Sequence, residues 1–182
     1  MSTRSSPASS APPERARAFA PVAPPGTRLL ILGSLPGEAS LRAGQYYAHP
    51  QNAFWWLIGA AIGREIAALP YPDRLAALAA AGVGLWDVVA SAERPGSADA
   101  AIRDPEHADL AGLVAGLPAL RAVGFNGVTA ARLGRRRLGV RAQRLALVDL
   151  PSSSPAYAAM PFAAKRARWA RLADLLAPPA DA

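Results

Sequence analysis

An asparagine, a histidine and four aromatic rings crowd into Tyr46-Tyr47-Ala48-His49-Pro50-Gln51-Asn52-Ala53-Phe54-Trp55. The Asn52 carboxamide offers a donor and an acceptor in one group, which suits it to reading the polar edge of a ligand. It is equally a good cap for the helix that the following apolar residues predict. His49 can orient its own loop through a backbone bond or reach an anion. Just upstream lies Gly33-Ser34-Leu35-Pro36-Gly37, where a glycine at each end lets the backbone turn sharply and come close to a ligand. Asp87, in Gly84-Leu85-Trp86-Asp87, supplies a carboxylate that can activate water, offset a developing positive charge or brace a loop. Asn126, in Gly124-Phe125-Asn126-Gly127, is a second carboxamide, suited to a contact or to a turn. Ser152, Ser153 and Ser154 lie between Pro151 and Pro155, and small hydroxyls with backbone N–H groups are good partners for phosphate oxygens.

Two of these stretches carry a resemblance. Gly-Ser-Leu-Pro-Gly followed by Tyr-Ala-His-Pro-Gln-Asn-Ala-Phe-Trp resembles the first motif of the uracil-DNA glycosylase superfamily, nearest its mismatch-specific uracil/thymine and hypoxanthine branches. Leu150-Pro151-Ser152-Ser153-Ser154-Pro155-Ala156 resembles the second motif, the loop that enters the DNA minor groove. The match spans roughly residues 28–176 with the motifs in the family's order. The resemblance implies an enzyme that flips a damaged nucleotide out of DNA and hydrolyses its N-glycosyl bond. On that reading Asn52 contacts the base edge, Tyr47 stacks on the base, and Gly33, Ser34, Leu35, Pro36, Gly37 and His49 line the base pocket. Asp87 and Asn126 are the further catalytic candidates. Ser152, Ser153 and Ser154 meet the DNA backbone, and Pro155, Ala156 and Tyr157 follow as the wedge. Ala156 stands where thymine-acting relatives have an arginine.

Leu35 departs from the pattern. The mismatch-specific uracil branch has an asparagine there, which positions the attacking water, and a leucine can neither hold nor polarise water. The departure favours hypoxanthine as the excised base. The rivals are a uracil or mismatch-specific glycosylase and a catalytically silent DNA-binding protein of the same fold. An unrelated nucleotide-binding α/β protein is disfavoured by the missing Gly-x-Gly-x-x-Gly and Walker patterns. Lys165 is the chain's only lysine and lies outside both motifs, so a Schiff-base lyase step is not expected and the enzyme reads as monofunctional.

Composition agrees without deciding. A formal charge of +7, carried mostly by arginine, suits a polyanion such as double- or single-stranded DNA. Ala- and Arg-rich proteins of GC-rich genomes show the same surplus. The chain has no cysteine and two histidines, which excludes disulfides and cysteine-bound clusters and argues against a histidine-rich metal site. No cofactor is expected. No apolar run is long enough to span a bilayer, and the N-terminus lacks a secretory pattern. A monomer in the bacterial cytosol, associated with the nucleoid, is the expectation.

The positioning elements follow from periodicity. Residues 1–26, rich in Ser, Ala, Pro and Arg, read as a disordered or loosely attached arm. Strands are predicted over 28–32, 84–89, 121–125 and 144–150, each apolar and three of them leading directly into a candidate site residue or loop. Helices are predicted from about Asn52 to Ile62, from Pro72 to near Gly82, over 107–117, over 128–133 and over 162–176. Residues 90–106 read as a polar loop with a short helix near 97–102, and Gly134–Gly139 as a basic loop. Strands alternating with helices predict an α/β fold. The specific expectation is one three-layer α/β/α domain, residues 27–177, around a central four-stranded parallel sheet, with 178–182 as a tail.

Overall fold

The computed structural model describes residues 15–177. Its centre is a four-stranded parallel sheet. The strands are β2 (Leu29–Gly33), β3 (Val83–Asp87), β6 (Ala122–Asn126) and β7 (Ala146–Leu150), in the order β3-β2-β6-β7. The predicted fold class is therefore the observed one. All five residues of β2 are buried, because helices cover both faces and leave no polar side to the strand. Side chains alternate across it. Leu29 and Ile31 pack with Phe54, Leu57, Ile58 and Trp169, while Leu30 and Leu32 pack with Val88, Val89, Leu110 and Phe125.

Helix α2 (Phe54–Ile62), α3 (Tyr71–Ala80) and α6 (Phe162–Ala170) supply the first face, and α4 (Leu110–Ala115) and α5 (Val128–Leu138) the second. Gly63 ends α2 in the left-handed conformation at φ 65°, with its N–H on the Gly59 carbonyl. A short α1 (Glu38–Ala43) follows the Gly33–Gly37 loop.

Several expectations need correction. Residues 90–106 do not form a simple loop. β4 (Val89–Glu93) and β5 (Arg103–His107) pair antiparallel, and β1 (Arg15–Arg17) pairs with β4 in a second, three-stranded sheet. Residues 15–26, expected in a loose arm, are thus tied down. Arg15 also bonds Ser91 and Asp104, and Val22 bridges to Leu85. Residues 1–14 of that arm lie outside the described residues. The Gly134–Gly139 stretch is not a basic loop, since Arg135, Arg136 and Arg137 form the last turn of α5. Gly134 is a packing glycine: a Cβ there would stand 2.5 Å from the Phe125 ring. His107 belongs to β5 rather than to a helix. The last helix breaks after Ala170, and α7 (Ala173–Leu176) completes it.

Candidate active site

Four parallel strands end at the same edge of the sheet, and their carboxyl ends carry the chemistry. β2 runs into the Gly33–Gly37 loop, β3 ends at Asp87, β6 ends at Asn126 and β7 feeds the 151–157 loop. Between them and the Tyr46–Asn52 segment opens a cleft of about 720 Å³. Every predicted site residue lines it: the Gly33–Gly37 loop, Tyr47, His49, Asn52, Asp87, Asn126 and the loop from Ser152 to Tyr157.

Asp87 forms the floor. It is 3% exposed, and its Oδ2 is buried with no hydrogen-bond partner among the described residues. Burial pushes its carboxyl from 3.8 up to about 7; the Tyr46 hydroxyl and Arg94 oppose that rise, while Asp99 adds to it. The Tyr46 hydroxyl stands beside Asp87, but its own geometric hydrogen bond goes to the Ala20 carbonyl at 3.5 Å. Gly33 lies opposite Asp87 in the β2–β3 register. A Cβ on Gly33 would sit 2.6 Å from Asp87 Oδ1 and 3.2 Å from the Tyr47 hydroxyl, so only glycine admits both groups.

Asn52 bonds into the start of α2 and keeps a second polar group beside it. Its Oδ1 accepts the Phe54 N–H at 3.0 Å, an Asx turn into α2. A backbone N–H can only donate, so this bond fixes which end of the amide is oxygen. The Nδ2 amino group has no partner among the described residues and stands at the cleft. The carboxamide therefore presents chiefly a donor, rather than a donor and an acceptor together. His49 likewise accepts the Gln51 N–H on Nδ1, at 3.2 Å, which leaves the proton of a neutral ring on Nε2.

Tyr47 stacks on Phe54 with ring centroids 3.7 Å apart and planes 13° from parallel. One of its faces is thus occupied, while the residue also lines the cleft. Its backbone stands at φ 53°, an uncommon conformation for a bulky residue. Burial also holds its hydroxyl well above the usual tyrosine range, with Asp87 adding to the effect.

Asn126 turns out to be a brace. Its Nδ2 donates to Ser153 Oγ and its Oδ1 accepts the Ser153 N–H, both at 2.8 Å. Ser153 also accepts the Ala53 N–H on its carbonyl, at 3.0 Å. Ser153 is 1% exposed, so in this conformation it ties the two motif loops together and its hydroxyl is not offered to a phosphate. Ser152 and Ser154, which also line the cleft and are less buried, each accept a backbone N–H two residues on at 3.2 Å. Pro155 and Ala156 are exposed at its mouth. Helix α6 holds this loop from behind: Trp169 Nε1 donates to the Pro151 carbonyl at 3.0 Å and Lys165 Nζ to that of Tyr157 at 2.6 Å. Lys165 is thereby committed to the scaffold.

One wall of the cleft was not foreseen. Ser97, Ala98, Asp99 and Ala100 line it, with Glu38 and Arg42 from α1. Ser34 Oγ donates to Asp99 at 2.6 Å, and the Glu38 N–H donates to Ser97 Oγ at 3.0 Å. No motif marks these residues, because their role comes from folding a polar connection back onto the first loop. Leu35, predicted in the pocket, lines the cleft but is only 6% exposed and packs with Leu30, Leu32, Val88 and Val89. No group of His, Cys, Asp and Glu capable of holding a metal occurs among the described residues.

Comparison with known proteins converges on one family. The family model for the uracil DNA glycosylase superfamily matches residues 20–175. A hypoxanthine DNA glycosylase of Methanosarcina acetivorans is 41% identical over 140 residues, covering 77% of this chain and 87% of that protein. One from Methanosarcina barkeri is 45% identical over 109 residues, covering 60% of this chain and 69% of the relative. The solution NMR structure of a Methanosarcina acetivorans protein, provisionally assigned as a uracil DNA glycosylase, superposes with a TM-score of 0.78 at 36% identity. It covers 89% of this chain and 99% of its own.

Proposed function

The chain belongs to the uracil DNA glycosylase superfamily, and on that premise we propose that it is a monofunctional DNA glycosylase that excises hypoxanthine. The substrate is DNA carrying a deaminated adenine, and the product is an abasic site for base excision repair. The observation that carries this reading is the meeting of the Asn52 amino group and the unpartnered Asp87 carboxylate in one cleft between the two motif loops.

The mechanism follows from what each group can do. Extruding a nucleotide costs a few kcal/mol of lost stacking and pairing. Tyr47, at the cleft, returns part of that cost by stacking on the base. As the glycosidic bond stretches, negative charge moves onto the base and positive charge onto the sugar. Asn52 Nδ2 donates to the hypoxanthine carbonyl oxygen, a contact that strengthens as the base gathers charge. Adenine carries an amino donor at that position, so the same contact turns the normal base away. Ionised Asp87 stabilises the oxocarbenium-like sugar and accepts a proton from the water that attacks it. Ser152 and Ser154 bond the flanking phosphates, and Pro155 and Ala156 fill the gap left in the stack.

Among the described residues no helix is long and apolar enough to cross a membrane. We further infer that the protein acts as a monomer in the cytosol. Incubating it with oligonucleotides that carry hypoxanthine, uracil or xanthine, single-stranded and duplex, tests the reading. Alkali then cuts at abasic sites. Strand cleavage strongest for hypoxanthine is the expected result; cleavage confined to uracil would overturn the base assignment, and none at all would leave a DNA-binding protein.

A further inference from the structure

A buried guanidinium is costly unless its donors and its charge are both satisfied. Arg94 is 7% exposed, and no carboxylate stands within ion-pair distance of it among the described residues. It spends its donors on backbone carbonyls instead: Nη1 on Leu35 at 3.1 Å, Nη2 on Pro36, and Nε on Gly96 at 3.0 Å. Two of those three belong to the Gly33–Gly37 loop, nearly sixty residues away in sequence. Arg94 does not itself line the cleft. It grips the loop from behind.

The neighbouring carbonyls point the same way. Gly33 accepts the Val88 N–H at 2.9 Å and Ser34 the Val89 N–H at 3.0 Å. From Gly33 to Pro36, then, each carbonyl is drawn toward the segment after β3. In a trans peptide the N–H lies opposite the carbonyl of the same unit. The N–H groups of Ser34, Leu35 and Gly37 are therefore turned to the other side of the loop, and none has a partner among the described residues. Pro36 has no N–H, so the Leu35 carbonyl can be gripped without turning a second donor. Ladder bonds to Val88 and Val89 orient the first two donors, but only Arg94 orients Gly37.

We propose that Arg94 is a positioning residue of the reaction: its planar fork holds the Leu35 and Pro36 carbonyls and so presents the loop's N–H face to an electron-rich atom in the cleft. Its charge, unpaired at contact distance, also lies near Asp87, Asp99 and Glu38. A lysine cannot replace it, because one ammonium does not reproduce the two parallel donors of the fork. This inference rests on the glycosylase reading above, and its test separates the two.

The experiment compares wild type with Arg94→Ala and Arg94→Lys in single-turnover excision of hypoxanthine, with affinity for an abasic duplex and melting temperature measured alongside. Both variants are expected to lose about 100-fold in rate per folded molecule, the usual effect of a misplaced backbone donor, while duplex affinity stays within about twofold. Millimolar ethylguanidinium should restore Arg94→Ala saturably, and ethylammonium should not. An unchanged rate in the variants, or a loss that guanidinium cannot rescue, overturns the proposal. If Arg94→Ala does not fold, backbone amide resonances of wild type and Arg94→Lys decide. That of Gly37 should shift in the variant while those of Ser34 and Leu35, set by the ladder bonds to Val88 and Val89, stay in place, and an unmoved Gly37 resonance overturns the proposal. The amide measurement needs no catalysis, so a wild type inactive on hypoxanthine defeats the functional reading alone.

Discussion

Asp87→Asn should make the protein more stable and less active at once. The carboxyl titrates near 7 in the folded chain against 3.8 in the unfolded one, because burial disfavours its charge. Each pH unit of difference corresponds to 1.36 kcal/mol, so a fully ionised Asp87 costs the fold roughly 4 kcal/mol. The sign follows from linkage. A raised carboxyl pKa favours the folded state below about pH 4, and that contribution is lost as pH climbs through about 7. The amide of the variant never ionises, but it brings an amino group that must find its own partner, which removes part of the gain. The net expectation at pH 8 is about 2 kcal/mol of added stability, or about 4–8 °C in melting temperature for a chain of this size. The advantage should vanish near pH 4. Thermal or urea unfolding of both proteins across pH 4 to 8 reads it directly. The same variant should excise hypoxanthine ~100- to 10,000-fold more slowly, and the wild-type rate should rise with pH through about 7. A stability difference indifferent to pH, or an active variant, would refute the assignment of Asp87 as a charged group at the cleft floor.

Two further outcomes follow. Leu35→Asn puts an amide among Leu30, Leu32, Val88 and Val89, so it should cost about 1–3 kcal/mol of stability measured by denaturation, and uracil release should be compared per folded molecule. Binding to an undamaged duplex should weaken steeply between 50 and 200 mM salt, as expected when several arginines displace counterions, and a salt-independent titration would count against contact with the DNA backbone.

Both motif loops and the central sheet were legible because local signals agreed there. β2 is apolar throughout and bounded by turn residues, and the parallel sheet needs just that. Asn126 was found because it directly follows a strand predicted from an apolar run, whereas Asp87 lay inside the strand predicted over 84–89 and in fact ends β3. The second sheet was illegible for the opposite reason. β5 reads Arg-Asp-Pro-Glu-His, almost wholly exposed, and it is a strand only through backbone pairing to β4. Arg135–Arg137 were misread as a loop because Gly134 looked like a helix terminator, whereas it is small so that α5 can approach Phe125. Nothing local distinguishes Arg94 from the other arginines; its importance comes from contacts with Leu35 and Pro36 across the fold. Asn126 and Asn52 show the same limit at the site. Carboxamides cap, brace and bind with equal ease, and only the partners reveal which.

Excision of hypoxanthine should turn on the Asn52 amino group. Asn52→Ala is an ambiguous probe, because it also removes the acceptor for the Phe54 N–H and so costs about 1 kcal/mol in helix capping. Asn52→Asp keeps that oxygen, keeps the shape and replaces only the donor, while setting a negative charge against the departing base. The decisive measurement is single-turnover excision of hypoxanthine from a duplex by wild type and Asn52→Asp, with melting temperatures recorded. The account predicts near-equal melting temperatures and a rate lower by ~100- to 1,000-fold or more. An Asn52→Asp protein that excises hypoxanthine at the wild-type rate would show that Asn52 is a helix cap and nothing else.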